Sequence, residues 1–241
     1  MYGMYGYGYG YGFDPTIILV LIGVALSLWA QGRVNSTFSR YSRVRSMTGM
    51  TGAEAARRLL NAQGIYDVTV QPIAGELTDH YDPRTKTVNL SQSVYGATSV
   101  AAIGVAAHEC GHAMQDNEGY APLRFRSALV PVANFGSKLS WPLILLGLVF
   151  GGLGSPLVEI GILMFSLAVL FQLVTLPVEY NASARAVRLL DSQGILAGEE
   201  VSGTRKVLNA AALTYVAAAA TSILQLLRLI ILFGGRNRRD N

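Results

Sequence analysis

The sequence contains little cysteine, little histidine and little charge. Its single cysteine, Cys110, excludes an internal disulfide and any metal cluster held by several thiolates. Only 14% of the 241 residues are charged, against about a quarter in an average soluble domain. The hydrophobic share is 51%. Such a chain carries more apolar surface than one soluble core needs, so much of it is expected to face lipid.

The net charge of +4 does not indicate nucleic acid as a partner. A nucleic-acid-binding surface usually gathers its basic residues in a patch or stripe. Here the basic residues cluster beside apolar runs, as Arg33, Arg40, Arg43 and Arg45 do after the first run. This distribution predicts a membrane protein that contacts a lipid bilayer.

The apolar runs predict several membrane helices. A Tyr-Gly low-complexity tail over residues 1–13 is expected to be disordered or interfacial. The first transmembrane helix is predicted over residues 14–31, and a transmembrane helical hairpin over residues 127–178. Because the arginines follow the first helix directly, the positive-inside rule places residues 32–126 on the cytoplasmic side.

A last apolar helix is predicted over residues 208–235, before a basic tail at 236–241. If this helix crosses the bilayer, the basic tail lies outside, against the charge rule. Gln225 and Arg228 would then lie within the span, at a cost unless they face protein or water. The sequence leaves open whether the helix spans the bilayer or dips partly into it.

The polar region at 32–126 shows helix and strand signals. Thr51 and Glu54 form a capping box for a helix that should stop at Gly64. Strand-like runs and a turn at Asp82–Arg84 then predict a small β-hairpin. A following helix, with Thr98 as its predicted N-cap, leads into the most informative motif of the chain.

That motif is His108-Glu109-Cys110-Gly111-His112. On a helix, two histidines four residues apart lie on one face and can share one Zn²⁺, while Glu109 between them is placed as a general base. Cys110 lies about 200° around the helix from His108, so it is expected to be a buried packing residue. The motif predicts metal-assisted hydrolysis.

A catalytic zinc needs a third protein ligand. Glu179, where the predicted hairpin ends and the region at 179–207 begins, is favoured because the arginine distribution places it on the same side as the motif. Glu159 is the rival carboxylate, about 30 Å away along a continuous helix. His80 is the third histidine and a further alternative, equally readable as a substrate contact.

Three separated segments carry a family resemblance: HECGHAMQ, the upstream DHYDPRTKTVNLS and the downstream LPVEYNASARA. Together they resemble the YugP-like neutral zinc metallopeptidases, which are multi-pass proteins of prokaryotic cell membranes. More distantly, the chain is similar to HtpX-like gluzincins. The resemblance implies one Zn²⁺ per chain, held by His108, His112 and Glu179, with Glu109 as the base. It also implies a peptide or membrane-protein substrate and an active site on the cytoplasmic side.

One position departs from the HtpX-like pattern, which carries an aspartate four residues after the ligand glutamate. This chain has Ser183 there. Because a ligand histidine nearly always needs a partner for its second ring nitrogen, another residue is expected to supply it, with Asn181 and Asp116 as candidates.

For the developing oxyanion, Tyr215 is the predicted donor, with His80 and Arg185 as further substrate contacts. The segment 85–90 is predicted to offer a strand edge to an extended peptide. The alternative function is a non-catalytic zinc-binding scaffold or assembly factor, against which the presence of Glu109 argues. The fold prediction is a mostly α protein, with multi-pass membrane helices and a zincin-like α+β metallopeptidase region carrying a small β-hairpin.

Overall fold

The structure, a computed structural model, describes residues 14–152 and 155–234. The predictions for the Tyr-Gly tail and for the basic tail at 236–241 therefore lie outside the described residues. Within them the protein is mostly α-helical with a small sheet, as predicted. The elements in chain order are α1 (Ile17–Tyr41), α2 (Gly52–Ala62), β1 (Thr69–Ile73), β2 (His80–Asp82), β3 (Thr87–Ser91), α3 (Gln92–Tyr95), α4 (Val100–Asn117), α5 (Ala121–Gly151), α6 (Pro156–Ser192) and α7 (Glu199–Phe233).

Among the described residues, four helices are long and apolar enough to cross a membrane: α1, α5, α6 and α7. Helices α5 and α6 pack against each other, and together they extend beyond the segment 127–178 that was predicted as a membrane hairpin. They approach closely at glycines, because a Cβ on Gly161 would lie 2.6 Å from Ile144 and one on Gly136 would lie 2.7 Å from the Met164 carbonyl oxygen. Such small residues are typical of helix contacts in membranes. Large apolar side chains such as Phe150 remain exposed on the outer face, where lipid would cover them.

Helix α7 packs antiparallel along α1. The Thr221 hydroxyl donates to the Gly23 carbonyl oxygen at 3.0 Å, which joins the C-terminal part of α7 to the N-terminal part of α1. At the far end, Arg228 pairs with Asp14 at 2.8 Å. The side chain of Arg228 is therefore neutralised by a partner from α1's end, which removes most of the cost expected for an unpaired arginine in a span.

The polar elements pack around α4, most of whose residues are buried. The capping box of Thr51 and Glu54 is present, and α2 ends just before Gly64, which has a φ of +70°. The N-cap of α4 is Ser99 instead of the predicted Thr98, since the Ser99 side chain accepts the hydrogen bond from the Ala102 amide at 3.2 Å.

The sheet has the strand order β1-β3-β2. Strands β2 and β3 form the predicted antiparallel hairpin, while β1 pairs with β3 in parallel. The prediction that segment 85–90 offers a free strand edge is wrong, because β3 is paired on both sides and fully buried. The free edge beside the site described next belongs to β2.

Candidate metal centre

Helix α4 presents the two motif histidines on one face. The rings of His108 and His112 lie with their centroids 4.8 Å apart and nearly perpendicular. Both side chains are at most slightly exposed, at 14% and 10%. Because α4 is packed on most of its surface, the backbone beneath the two rings is held firmly.

Helix α6 brings Glu179 to this pair. Its Oε2 atom lies 3.2 Å from Nε2 of His108 and 3.6 Å from Nε2 of His112. The ligand atoms of the three residues all lie within 4.8 Å of one another. Two imidazole nitrogens and one carboxylate oxygen form a donor set of catalytic zinc sites, whose ligand atoms lie about 3.3 Å apart around a tetrahedral ion. The residues present therefore fit zinc.

The approach of α6 to α4 depends on Gly111, which lies between the two histidines. A Cβ at this position would lie 2.6 Å from the Ala182 carbonyl oxygen, which belongs to the α6 backbone. On the other side of α4, Cys110 is buried, with its Sγ 3.6 Å from the Ala56 carbonyl oxygen. Burial raises the pKa of this thiol, so Cys110 stays protonated and serves packing, as predicted.

The second ring nitrogens of the histidines have neutral partners. Nδ1 of His112 donates to Oε1 of Gln115 at 3.0 Å, because the amide nitrogen of Gln115 is itself donating to Val178 and Asn181 on α6. Nδ1 of His108 lies 3.1 Å from the hydroxyl of Ser183. These bonds turn both Nε2 atoms toward Glu179.

The two candidates named from the sequence for this role lie elsewhere. Asn181 does not contact a histidine directly; its Oδ1 accepts a hydrogen bond from Gln115, which in turn contacts His112. Asp116 instead accepts hydrogen bonds from the Tyr81 hydroxyl and the Lys86 ammonium, which fastens the hairpin to the end of α4. Ser183, at the position where the sequence departs from the HtpX-like pattern, itself contacts the ligand histidine.

The charges around the two histidines favour a bound cation. Burial alone lowers the pKa of His112, but the hydrogen bond to Glu179 and the negative charges of Glu109 and Glu179 outweigh it, so the net shift of this pKa is upward. A positive charge at this position is therefore stabilised by two carboxylates. A bound metal ion would receive the same stabilisation.

A cavity of about 710 Å³ opens on this group. Glu109, which is 7% exposed, lines it together with His112, Glu179 and Tyr215. Arg126 from α5 also enters this cavity, with Nη2 3.6 Å from Oε1 of Glu179. Its Nε is buried and has no hydrogen-bond partner among the described residues. Sequence reasoning missed Arg126, since nothing in the local sequence indicates that α5 begins beside the histidines.

The remaining predicted substrate contacts lie at different distances from the centre. His80 on β2 lines the same cavity, but its Nδ1 faces the Thr78 carbonyl oxygen at 2.9 Å and its Nε2 the Asn89 amide at 3.2 Å. His80 is not part of the ligand group. Arg185 is bound to Glu118 and Asn181, and it does not line this cavity. Glu159 lies in the first turn of α6, far from the histidines.

A smaller cavity of about 260 Å³ also adjoins the group, and His108 and Glu179 line it. It shares Asp79, Glu179 and Tyr215 with the larger one, and α1 contributes Gln31 and Val34. The three-residue group therefore lies where two cavities meet. Burial raises the pKa of Asp79, against the effect of its hydrogen bonds from Ser91.

The structure combines four helices long and apolar enough to cross a membrane with a group of two histidines and one glutamate that could hold a metal ion. Comparison with known proteins agrees. The chain belongs to a family described as "Putative neutral zinc metallopeptidase", whose model matches residues 16–234. It is 50% identical to the "Putative membrane protease YugP" of Bacillus subtilis (strain 168), over 93% of this chain and 98% of that protein. No solved structure matches.

Proposed function

We propose that this protein is a membrane-embedded, zinc-dependent endopeptidase. The observation that carries the proposal is the convergence of both Nε2 atoms on Glu179, which lines the same cavity as Glu109. His108, His112 and Glu179 would hold one zinc ion per chain. When bound, zinc polarises a peptide carbonyl and lowers the pKa of its bound water to about 7.

The chain's own residues supply the proton transfers. Glu109 sits beside the ligand pair, so its carboxylate takes the proton of the attacking water and delivers it to the leaving amine. Tyr215 lines both cavities at the point where they meet, and its hydroxyl donates to the carbonyl oxygen that gains negative charge. Gln115 and Ser183 keep the imidazoles oriented.

The two cavities support a substrate that crosses the centre as an extended chain. The free edge of β2 lines the larger cavity and offers backbone groups to a peptide strand. The smaller cavity contains residues of α1 and α7 near the ends of their apolar runs. This arrangement favours a peptide or membrane-protein segment cut close to the bilayer surface, and the arginines that follow the apolar run of α1 favour the cytoplasmic side.

The test of this function is Glu109→Gln in the purified full chain. Zinc content should stay at one per chain, because the ligands are untouched, while peptidase activity on an unfolded protein substrate should fall by at least about a hundredfold. Glu199→Gln, which removes an exposed carboxylate at the start of α7, is the matched control and should retain activity. Glu179→Gln should lose the zinc itself.

The same experiment decides between the endopeptidase and a non-catalytic zinc scaffold. A scaffold needs the ligands but no base. Equal activity, or equal absence of activity, in the zinc-loaded wild type and in Glu109→Gln would reject the endopeptidase.

A further inference from the structure

A separate cavity of about 710 Å³ lies between the end of α1 and the start of the apolar part of α7. We call it the basic cavity, because Arg33, Arg40 and Lys206 line it. It contains none of the three residues of the metal group. Its other lining residues are Ser36, Thr37, Tyr41, Tyr180, Asn209, Ala210 and Leu213.

The positive charge of the basic cavity is not compensated. None of its lining residues is acidic, and within the part of the chain that the structure describes none of its three cations forms an ion pair with a carboxylate. The guanidinium carbon of Arg40 lies 5.7 Å from the centre of the Tyr41 ring. Three cations around one cavity repel each other, and an anion bound between them would offset this repulsion.

The basic cavity lies where the apolar parts of α1 and α7 end. The apolar run of α1 ends at Ala30, and Arg33 lies one turn further on. On α7 the apolar run begins near Ala210, and Lys206 lies one turn before it. Both helices therefore pass from apolar to basic residues at this cavity. That is the level of the headgroups, where tyrosines such as Tyr180 are also frequent.

We propose that the basic cavity binds the phosphate-bearing headgroup of an anionic phospholipid. Arginine forks and a lysine ammonium are the side chains that recognise phosphate oxygens, and Ser36, Thr37 and Asn209 add neutral donors. Ala210 and Leu213 give the cavity an apolar side for the glycerol end of a lipid. A basic pocket between membrane helices on the cytoplasmic side is typical of lipid-headgroup sites. This binding does not require the peptidase activity proposed above.

The experiment is native mass spectrometry of the full chain in a neutral detergent, titrated with phosphatidylglycerol or phosphatidylcholine. The wild type should retain phosphatidylglycerol about tenfold more tightly than phosphatidylcholine. Arg33→Gln/Lys206→Gln should lose that preference. The matched control, Arg43→Gln/Arg45→Gln, removes two nearby charges outside the cavity and should keep it. Arg33→Lys should keep most of it.

Two results would overturn the proposal. An equal loss of preference in the two double variants, at unchanged melting temperature, would show that net charge alone attracts the lipid. Displacement of bound phosphatidylglycerol by inorganic phosphate at millimolar concentration would show that the site takes free phosphate and not a lipid. Zinc content of each variant, measured in parallel, reports on the metal centre independently.

Discussion

Single neutral side chains decide how the two histidines face the metal position. Gln115 is fully buried and binds three groups at once: it accepts from His112 and donates to the Val178 carbonyl and the Asn181 side chain. One amide therefore fixes both the protonated nitrogen of His112 and the approach of α6. Ser183 does the equivalent for His108 with a weaker donor-acceptor group.

We therefore predict that Gln115→Leu weakens zinc binding about tenfold to a hundredfold, the usual loss when a partner of a ligand histidine is removed. The ring of His112 would lose its fixed orientation, and the Val178 carbonyl would lose the hydrogen bond that it accepts from the Gln115 amide. Competition with a chromogenic chelator measures the affinity. Gln115→Glu, which keeps an acceptor for the Nδ1 proton, should lose less. Unchanged affinity in Gln115→Leu would contradict this role.

Arg126 lines the larger cavity, and its buried Nε has no hydrogen-bond partner among the residues that the structure describes. A substrate carbonyl that accepts from this guanidinium would gain a charge-assisted hydrogen bond, so Arg126→Gln should lower kcat/KM about tenfold or more. Zinc content should stay the same, because Arg126 is not a ligand. Arg124→Gln, two residues away on α5 and outside the cavity, is the control. If zinc content falls and kcat/KM of the zinc-loaded protein does not, the role of Arg126 is to position the Glu179 carboxylate.

At the scale of residues, the sequence predicts those site residues whose spacing along one helix has a known geometry. The histidine pair and Glu109 follow from helix geometry, and the choice of Glu179 follows from charge distribution and from a family resemblance. The structure brings all four together. Gln115 and Arg126 lie outside any local pattern, because their partners depend on how α5 and α6 cross α4. Only the three-dimensional packing shows them.

At the scale of elements, the contact between α4 and α6 is the critical one. Gly111→Ala would place a methyl group 2.6 Å from a backbone oxygen of Ala182, and backbone cannot move aside as a flexible side chain can. We predict a loss of stability of about 1–3 kcal/mol, typical of overpacking, and a clear loss of zinc affinity as Glu179 withdraws from the histidines. Thermal unfolding and zinc titration measure the two effects.

The control for Gly111→Ala is Gly32→Ala, a second helical glycine. A Cβ at Gly32 meets nothing within 4 Å, so this variant should keep its melting temperature or gain slightly from better helix propensity. Because Gly32 lies on α1, comparable loss in both variants would show that the loss does not come from the close approach of α6 to α4.

The sheet shows where element prediction from sequence stops. The hairpin of β2 and β3 follows from a turn signal between two adjacent runs, and it is confirmed. The parallel pairing of β1 with β3 cannot be predicted locally, because a strand-like run does not indicate which other strand it pairs with. This pairing covers the segment that was expected to bind substrate and leaves β2 as the free edge.

At the scale of the whole molecule, the charge rule and the packing disagree about the last helix. The rule argues against a full span, because the chain ends in a basic tail. The structure places α7 along the length of α1 and pairs Arg228 with Asp14. Because α7 packs antiparallel beside α1, it would cross the same thickness of bilayer as α1 does. The packing therefore favours an α7 that spans the membrane. A single sequence cannot show this, because the pairing joins residues 214 positions apart.

This arrangement makes a topology prediction for intact cells. Gly234→Cys, at the end of α7, should react with a membrane-impermeant maleimide added from outside, because it lies at the Asp14 end of α1. Met47→Cys, which replaces an 89% exposed side chain beyond α1, should react only after the membrane is permeabilised. The native Cys110 is buried with a raised thiol pKa, so the wild type is a nearly unreactive background. Labelling of both introduced cysteines only after permeabilisation would show that α7 does not cross, and labelling of Met47→Cys in intact cells would place the metal centre outside.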